Sequence, residues 1–238
     1  LTFLFAQAEF GLLCPVNMTD SLARALRRLA SPDLAARYLP PLISQDLDSL
    51  HQGAMFITEQ GAGSDIAATA VTAFPQPDGT YRLHGDKWFC SNADAEVALV
   101  LARMHGGAPG LKGVSLFLMP RTLPDGTANA LRIVRLKDKL GTRSMASGEI
   151  RLEGAVAWLI GDPQAGFKQM ADMINSSRLS NGVRSAGMMR RAVHEALFVT
   201  RHRVAFGQRL IELPLMQRQL AKMLVRAEQA RSMAFQTA

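Results

Sequence analysis

Cysteine is nearly missing from this sequence: Cys14 and Cys90 are the only two among 238 residues. Two thiols with no histidine cluster nearby make neither a disulfide framework nor a metal-ligand set. That usage fits a reducing compartment, and a cytoplasmic protein is expected. Long apolar runs are also lacking, since none approaches the roughly 18–20 residues of a membrane span. The most apolar end, residues 1–16, is interrupted by Gln7 and Glu9, and it lacks an initiator Met and a basic leading segment. It does not read as a signal peptide. The start at Leu1 reads instead as mid-domain, so a piece of a longer protein is expected. Internal repeats and low-complexity linkers are not visible. Two phosphate-binding signatures are incomplete: no third glycine and helix make a dinucleotide fingerprint, and no Gly-Lys-Ser/Thr makes a Walker A loop.

What remains is a chain that can fold. Hydrophobic residues make up 48% of it, enough for a sizeable core in one large or two modest domains. The net charge of +7 is local: between Arg184 and Arg231, nine arginines and Lys222 face only Glu195, Glu212 and Glu228. Such a surplus can meet nucleic-acid phosphates, grip a cofactor pyrophosphate, or pair with acidic segments elsewhere.

Three stretches differ in period. In residues 1–53, Thr19 or Asp20 can cap a helix carrying Leu22, Leu26 and Leu29, and Asp33–Tyr38 is a second short helix stopped by Pro40-Pro41. In residues 54–162, turn signals come at strand-like intervals. Pro77-Asp78-Gly79-Thr80 joins Thr69–Phe74 to Tyr81–His84, and Val97–Arg103, Val114–Pro120, Leu131–Leu136 and Glu149–Leu152 are further strand candidates. About seven short strands in an antiparallel barrel or sandwich are expected. In residues 163–238 the period turns helical. Ala186, Met189, Val193, Ala196, Leu197, Thr200 and Val204 form one stripe, which Gly207 is placed to end. Pro214 then opens a helix with Leu215, Leu220, Met223, Leu224 and Ala227 on its apolar face. Two long antiparallel helices, the first half of a bundle, are expected, with Met188, Met189, Met216 and Met223 as filler. The fold class is therefore α+β, with helices, a small β-domain, then helices.

The stretch most suggestive of chemistry is Phe56-Ile57-Thr58-Glu59-Gln60-Gly61-Ala62-Gly63-Ser64-Asp65. Glycines permit positive φ and close approach, successive N–H groups make an anion-binding bend, and Thr58 and Ser64 add hydroxyl donors. Alone, it reads equally as an ordinary strand-to-loop turn. Gly85-Asp86-Lys87-Trp88, Lys139-Leu140-Gly141-Thr142-Arg143-Ser144, Arg178 and Arg203-Val204-Ala205-Phe206-Gly207 follow in order. This series resembles the acyl-CoA dehydrogenase family of flavoproteins. Arg135–Gly141, Trp158–Gly161 and Met188–Ala192 look most like its adaptive-response branch.

The resemblance implies an FAD site. Met55, Phe56, Ile57, Thr58, Gly63 and Ser64 would lie along the flavin, with Thr58 bonding the ring edge. Trp88, Phe89 and Cys90 would flank it, and Arg203 and Phe206 would hold the pyrophosphate of a neighbouring subunit's FAD. Ser64 and Arg178 would meet the acyl-CoA thioester. The implied reaction is α,β-desaturation, in which a glutamate removes the α-proton and a hydride passes to flavin N5. Two positions depart from the family. Cys90 stands where a threonine hydroxyl usually donates to N5, and a thiol is a weaker donor; its other reading is a small buried apolar residue. Pro214 stands where a glutamine often donates to the partner's FAD. The base glutamate is expected beyond Ala238, since Ser177 occupies the alternative position on the first long helix. A homotetramer is implied, the electron acceptor is left open, and the adaptive-response branch adds DNA association as the competing class.

Overall fold

A computed structural model describes residues 1–237. The chain divides into two compact units, residues 14–177 and residues 1–13 with 178 onward.

The larger unit is built on β-strands. They are β1 (Gly53–Phe56), β2 (Thr72–Pro75), β3 (Tyr81–Ser91), β4 (Val97–Met104), β5 (Val114–Pro120), β6 (Leu131–Leu136) and β7 (Ser147–Leu159). The expected hairpin joins β2 to β3, with Asp78 Oδ1 accepting from the Thr80 amide at 2.9 Å and its hydroxyl at 2.7 Å. Strands β4, β2, β3, β7 and β5 close into a five-stranded barrel because β5 returns to pair with β4, while β1 adds to β4 and β6 to β7. It is a barrel and not a sandwich. Nor is it wholly antiparallel: β1 and β2 both run parallel to β4.

The reason is that β1 and β2 lie end to end along one edge of β4. Residues 53–56 pair with 97–100, and Thr72 and Ala73 pair with Arg103 and Met104. The segment from 57 to 71, which includes the glycine bend, is an excursion out of that edge.

Strands β4 and β5 are buried on both faces, which is why they read as unbroken apolar runs. Val100, Phe117 and Ile150 join Phe56, Leu83 and Cys90 inside the barrel. Leu99, Leu101, Leu116 and Leu118 face outward against Leu22 and Leu26 of α2 (Leu13–Leu29) and Tyr38 and Leu42 of α3 (Pro32–Leu42). Met170 and Met173, from the start of α4 (Gly166–His202), complete that layer. Each such leucine removed from water is worth about 1.5–3 kcal/mol.

Two helix boundaries differ from the sequence reading. α2 starts six residues before Thr19, which therefore lies mid-helix and bonds back to the Pro15 carbonyl at 2.9 Å, while Asp20 pairs with Arg24. In α3, Pro40 and Pro41 sit inside the last turn, and Ser31 is the cap, accepting from the Leu34 amide. A proline late in a short helix costs less than one at its centre, because few intrahelical bonds follow.

The smaller unit holds α1 (Thr2–Phe5), the remainder of α4, and α5 (Pro214–Thr237). Arg190 of α4 pairs with Glu228 of α5 at 3.3 Å, a contact that joins the two helices. Ala186, Val193 and Thr200 of the expected stripe are buried, the threonine by bonding the Ala196 carbonyl at 2.7 Å. Val204 is 62% exposed, because α4 stops at His202, before Gly207. On α5 only Leu220 and Ala227 are buried, while Leu215, Met223 and Leu224 stay exposed, as does Met188 on α4. Two helices packed on each other cannot cover both apolar stripes, so Met188 and Met223 stay exposed and are not filler here, while Met189 and Met216 are half-buried.

Between the helices, β8 (Val204–Ala205) and β9 (Gln208–Arg209) form a small hairpin. Its two turn residues, Phe206 and Gly207, have φ of 55° and 76°, the type I′ geometry that suits a twisted hairpin.

Candidate functional site

The excursion from β1 is a folded loop with a closed neck. Glu59 and Ala62 exchange backbone bonds at 3.1 Å each way, so the bend is a tight hairpin. Asp65 caps a short 3₁₀ turn by accepting from the Ala67 amide at 3.0 Å. The return limb passes Gly85 of β3, whose φ is +129° and where a Cβ would meet the Val71 Cα at 3.1 Å. Only glycine suits that position.

The glycines of the bend behave differently. Gly61 and Gly63 do not have positive φ, contrary to the sequence expectation. A Cβ at Gly61 would meet nothing within 4 Å, and at Gly63 only Thr58 Cγ2 at 3.9 Å. Their small size thus leaves an open surface that the protein itself does not fill. The hydroxyls of Thr58 and Ser64 have no protein partner among the described residues, although Thr58 is half-buried.

The bend lies against Trp88: the Trp88 amide donates to the Thr58 carbonyl at 2.8 Å. Lys137 Nζ sits 3.3 Å from the indole centroid, with Arg135 at 5.9 Å, a cation–π arrangement. Lys137 also pairs with Glu149 at 2.6 Å, and Arg135 with the same carboxylate at 2.7 Å. The Lys137 hydrogen bond, above all, holds Glu149 below the usual carboxylate range. Beside the indole is a cavity of about 200 Å³, lined by Gln60, Asp86, Trp88, Glu149 and Arg151 among others. Small-molecule sites usually measure about 300–1,000 Å³. The barrel therefore offers a wall with polar anchors and not an enclosure.

Two expected contacts turn inward. Phe56 and Cys90 are 2% and 1% exposed and pack in the barrel core. Strand alternation explains both, helped by the register shift between Lys87 and Cys90. From these positions only the backbone can reach the open face, and Cys90 takes the apolar reading. Burial pushes its thiol up to about 12. Phe89 is 47% exposed, and Met55 and Ile57 pack at the edge of the outer core layer.

Arg178, Arg203 and Phe206 belong to the smaller unit. Arg178 and Arg203 are exposed, with guanidiniums that have no partner among the described residues. Phe206 stands 92% exposed at its turn.

The sequence reading missed Glu59 and Lys87 as a pair. Lys87 is fully buried and Glu59 only 6% exposed, with 2.8 Å between Nζ and Oε1. The available signal was alternation. One residue from Thr58 and one from Trp88, both positions point inward, and a lone inward lysine requires a lone inward carboxylate.

Residues 54–155 match the acyl-CoA dehydrogenase middle domain, and residues 164–238 match the acyl-CoA dehydrogenase C-terminal domain. The chain belongs to the acyl-CoA dehydrogenase family. Residues 1–49 match the N-terminal domain of the adaptive response protein AidB. AidB of Escherichia coli is 38% identical over 99% of this chain and 44% of its own length. Acyl-CoA dehydrogenase family member 11 of Caenorhabditis elegans is also 38% identical, over 99% of this chain and 40% of its own length. A solved structure of Caenorhabditis elegans ACDH-11 in complex with C11-CoA superposes with a TM-score of 0.89 at 36% identity, covering all of this chain and 43% of that one. The chain thus spans about two fifths of the length of these relatives.

Proposed function

We propose that this chain carries the flavin-facing part of an FAD-dependent acyl-CoA dehydrogenase-type oxidoreductase that desaturates an acyl-CoA thioester between its α and β carbons. The observation that carries the reading is the bend itself, an open glycine surface with two unpartnered hydroxyls bonded to Trp88 through Thr58.

The residues present fit the cofactor's chemistry. Thr58 and Ser64 supply donors, and Met55, Ile57, Gly63, Trp88 and Phe89 supply a wall for a flat ring, with Phe56 and Cys90 reaching it through the backbone. Arg203 is a free guanidinium, suited to two phosphate oxygens in one plane, with Phe206 beside it on its turn. When bound, FAD supplies the hydride acceptor. Arg178 would supply a cation, and Ser64 a hydroxyl, to the thioester end of the substrate. The solved ACDH-11 structure holds C11-CoA, which favours an acyl-CoA as substrate class. Assembly as a homotetramer belongs to this reading, and the general base is not assigned to any residue of this chain.

Thr58→Ala tests it. Removing one neutral hydrogen bond, worth about 0.5–1.5 kcal/mol, should weaken FAD binding roughly 2–13-fold in a flavin titration. Unchanged affinity would remove Thr58 from the site.

A second reading is a DNA-associated flavoprotein with little dehydrogenase turnover. It is favoured by Arg201, Arg203, Arg218, Lys222 and Arg226, which have no ion-pair partner among the described residues.

A further inference from the structure

We propose that the buried Glu59–Lys87 ion pair is a positioning device that holds the glycine bend against Trp88 in the shape FAD requires; the inference rests on the flavin reading above.

The pair closes the neck of the excursion. Glu59 Oε2 accepts from the Ala70 amide at 2.6 Å, and Oε1 accepts from the Val71 amide at 3.2 Å and from Lys87 Nζ at 2.8 Å. Lys87 Nζ also donates to the Ile57 carbonyl at 3.0 Å. One carboxylate therefore joins the outgoing limb, the returning limb and β3. The joint lies one residue from each group facing the open side: Glu59 follows Thr58, and Lys87 precedes Trp88. Alternation sends the charged pair inward and leaves Thr58 and Trp88 half-buried. Fixing the pair fixes the Thr58–Trp88 hydrogen bond.

Stability alone is a poor reason for such a pair. Two charges withdrawn from water recover that cost only with good geometry, and apolar residues of similar volume often serve as well or better. Burial, opposed by Glu59, lowers the Lys87 pKa, so the site works against the charge it holds. What apolar replacements would lose is direction. They fill the neck, but they cannot hold two amides and a carbonyl at fixed distances.

The test is the double variant Glu59→Gln/Lys87→Met, which leaves no stranded charge. Hydrogen exchange of the flavin-free protein is read at the Trp88 amide against amides of β5, alongside an FAD titration. The expected result is β5 protection within about threefold of the parent chain, the Trp88 amide exchanging at least tenfold faster, and FAD affinity at least tenfold weaker. A Trp88 amide as protected as in the parent overturns the proposal. So does a loosened bend that binds FAD with the parent's affinity. A parent chain that takes up no FAD sinks the flavin reading, and the exchange arm then decides separately whether the pair holds the bend. If the double variant does not fold, Glu59→Asp keeps both charges and shortens the reach by one methylene. It should still loosen Trp88 and weaken FAD; parent-like behaviour in both assays refutes the positioning role.

Discussion

At the residue scale, Cys90 gives the clearest pH signature. Its thiol is raised from about 9 to about 12 by burial in the barrel core. The folded state therefore keeps a proton that the unfolded state loses first. The contribution is intact below about pH 9 and is lost as pH rises towards 12, at up to about 1.4 kcal/mol per pH unit. The stability of Cys90→Ala should fall less steeply above pH 9 than that of the parent in denaturant titrations at stepped pH. Parallel curves would show that the thiol ionises freely in the folded chain. This residue was half legible in the sequence, which offers both a cofactor contact and a buried apolar role. The register shift beside it settled which way it points, and no motif encodes a register shift. Glu59 and Lys87 were visible as letters in two motifs, and alternation turns both inward, but the order of residues does not say that Thr58-Glu59 and Lys87-Trp88 lie side by side.

At the scale of elements, strands β5 and β6 were legible to the residue, since each is an apolar or alternating run between turn formers. Helix ends were not. Thr19 and Asp20 have cap chemistry, but α2 was already under way at Leu13, and their side chains found partners along the helix instead. Two glycines of α4 make a matched test of packing against propensity. Nothing lies within 4 Å of a Cβ placed at Gly182, so Gly182→Ala should stabilise by about 0.5–1 kcal/mol. At Gly187 the same Cβ would meet the Phe3 carbonyl oxygen at 2.6 Å, so Gly187→Ala should cost about 1–3 kcal/mol by displacing α1. Thermal melts that move in the same direction for both would contradict the packing of α1 on α4. The β8–β9 hairpin poses a sharper question. An L-residue in the left-handed region pays about 1–2 kcal/mol, and asparagine tolerates it better than phenylalanine. Phe206→Asn should raise the melting temperature, because a side chain 92% exposed has little packing to offset the strain. If Phe206 serves the cofactor, the same change should lower FAD retention. A melt that rises with FAD binding untouched would leave the ring without a role at that site.

At the scale of the whole molecule, the basic surplus has been partly spent. Arg190, Arg191, Arg209 and Arg231 pair with Glu228, Glu195 and Glu212. Arg184 is 2% exposed, held by Asn181 and the Ser180 carbonyl and stacked on Phe10 at 5.1 Å. Charge counted along the sequence overstated what a ligand can use, because it cannot see which arginines are already bonded. Arg201, Arg203, Arg218, Lys222 and Arg226 remain. Five neutralised phosphates correspond to a slope of about −4.5 for log K against log salt, with non-specific duplex affinity of about 10⁻⁴–10⁻⁶ M. A short duplex titrated at stepped salt should give a slope no steeper than this. A steeper one would mean that the helix ion pairs open to meet DNA. A flat line, or no binding, would retire the DNA reading for this chain and leave the free guanidiniums to the cofactor. Arg203→Ala separates the two: loss of about one unit of salt slope marks a phosphate of DNA, whereas weaker FAD at unchanged duplex affinity marks the pyrophosphate.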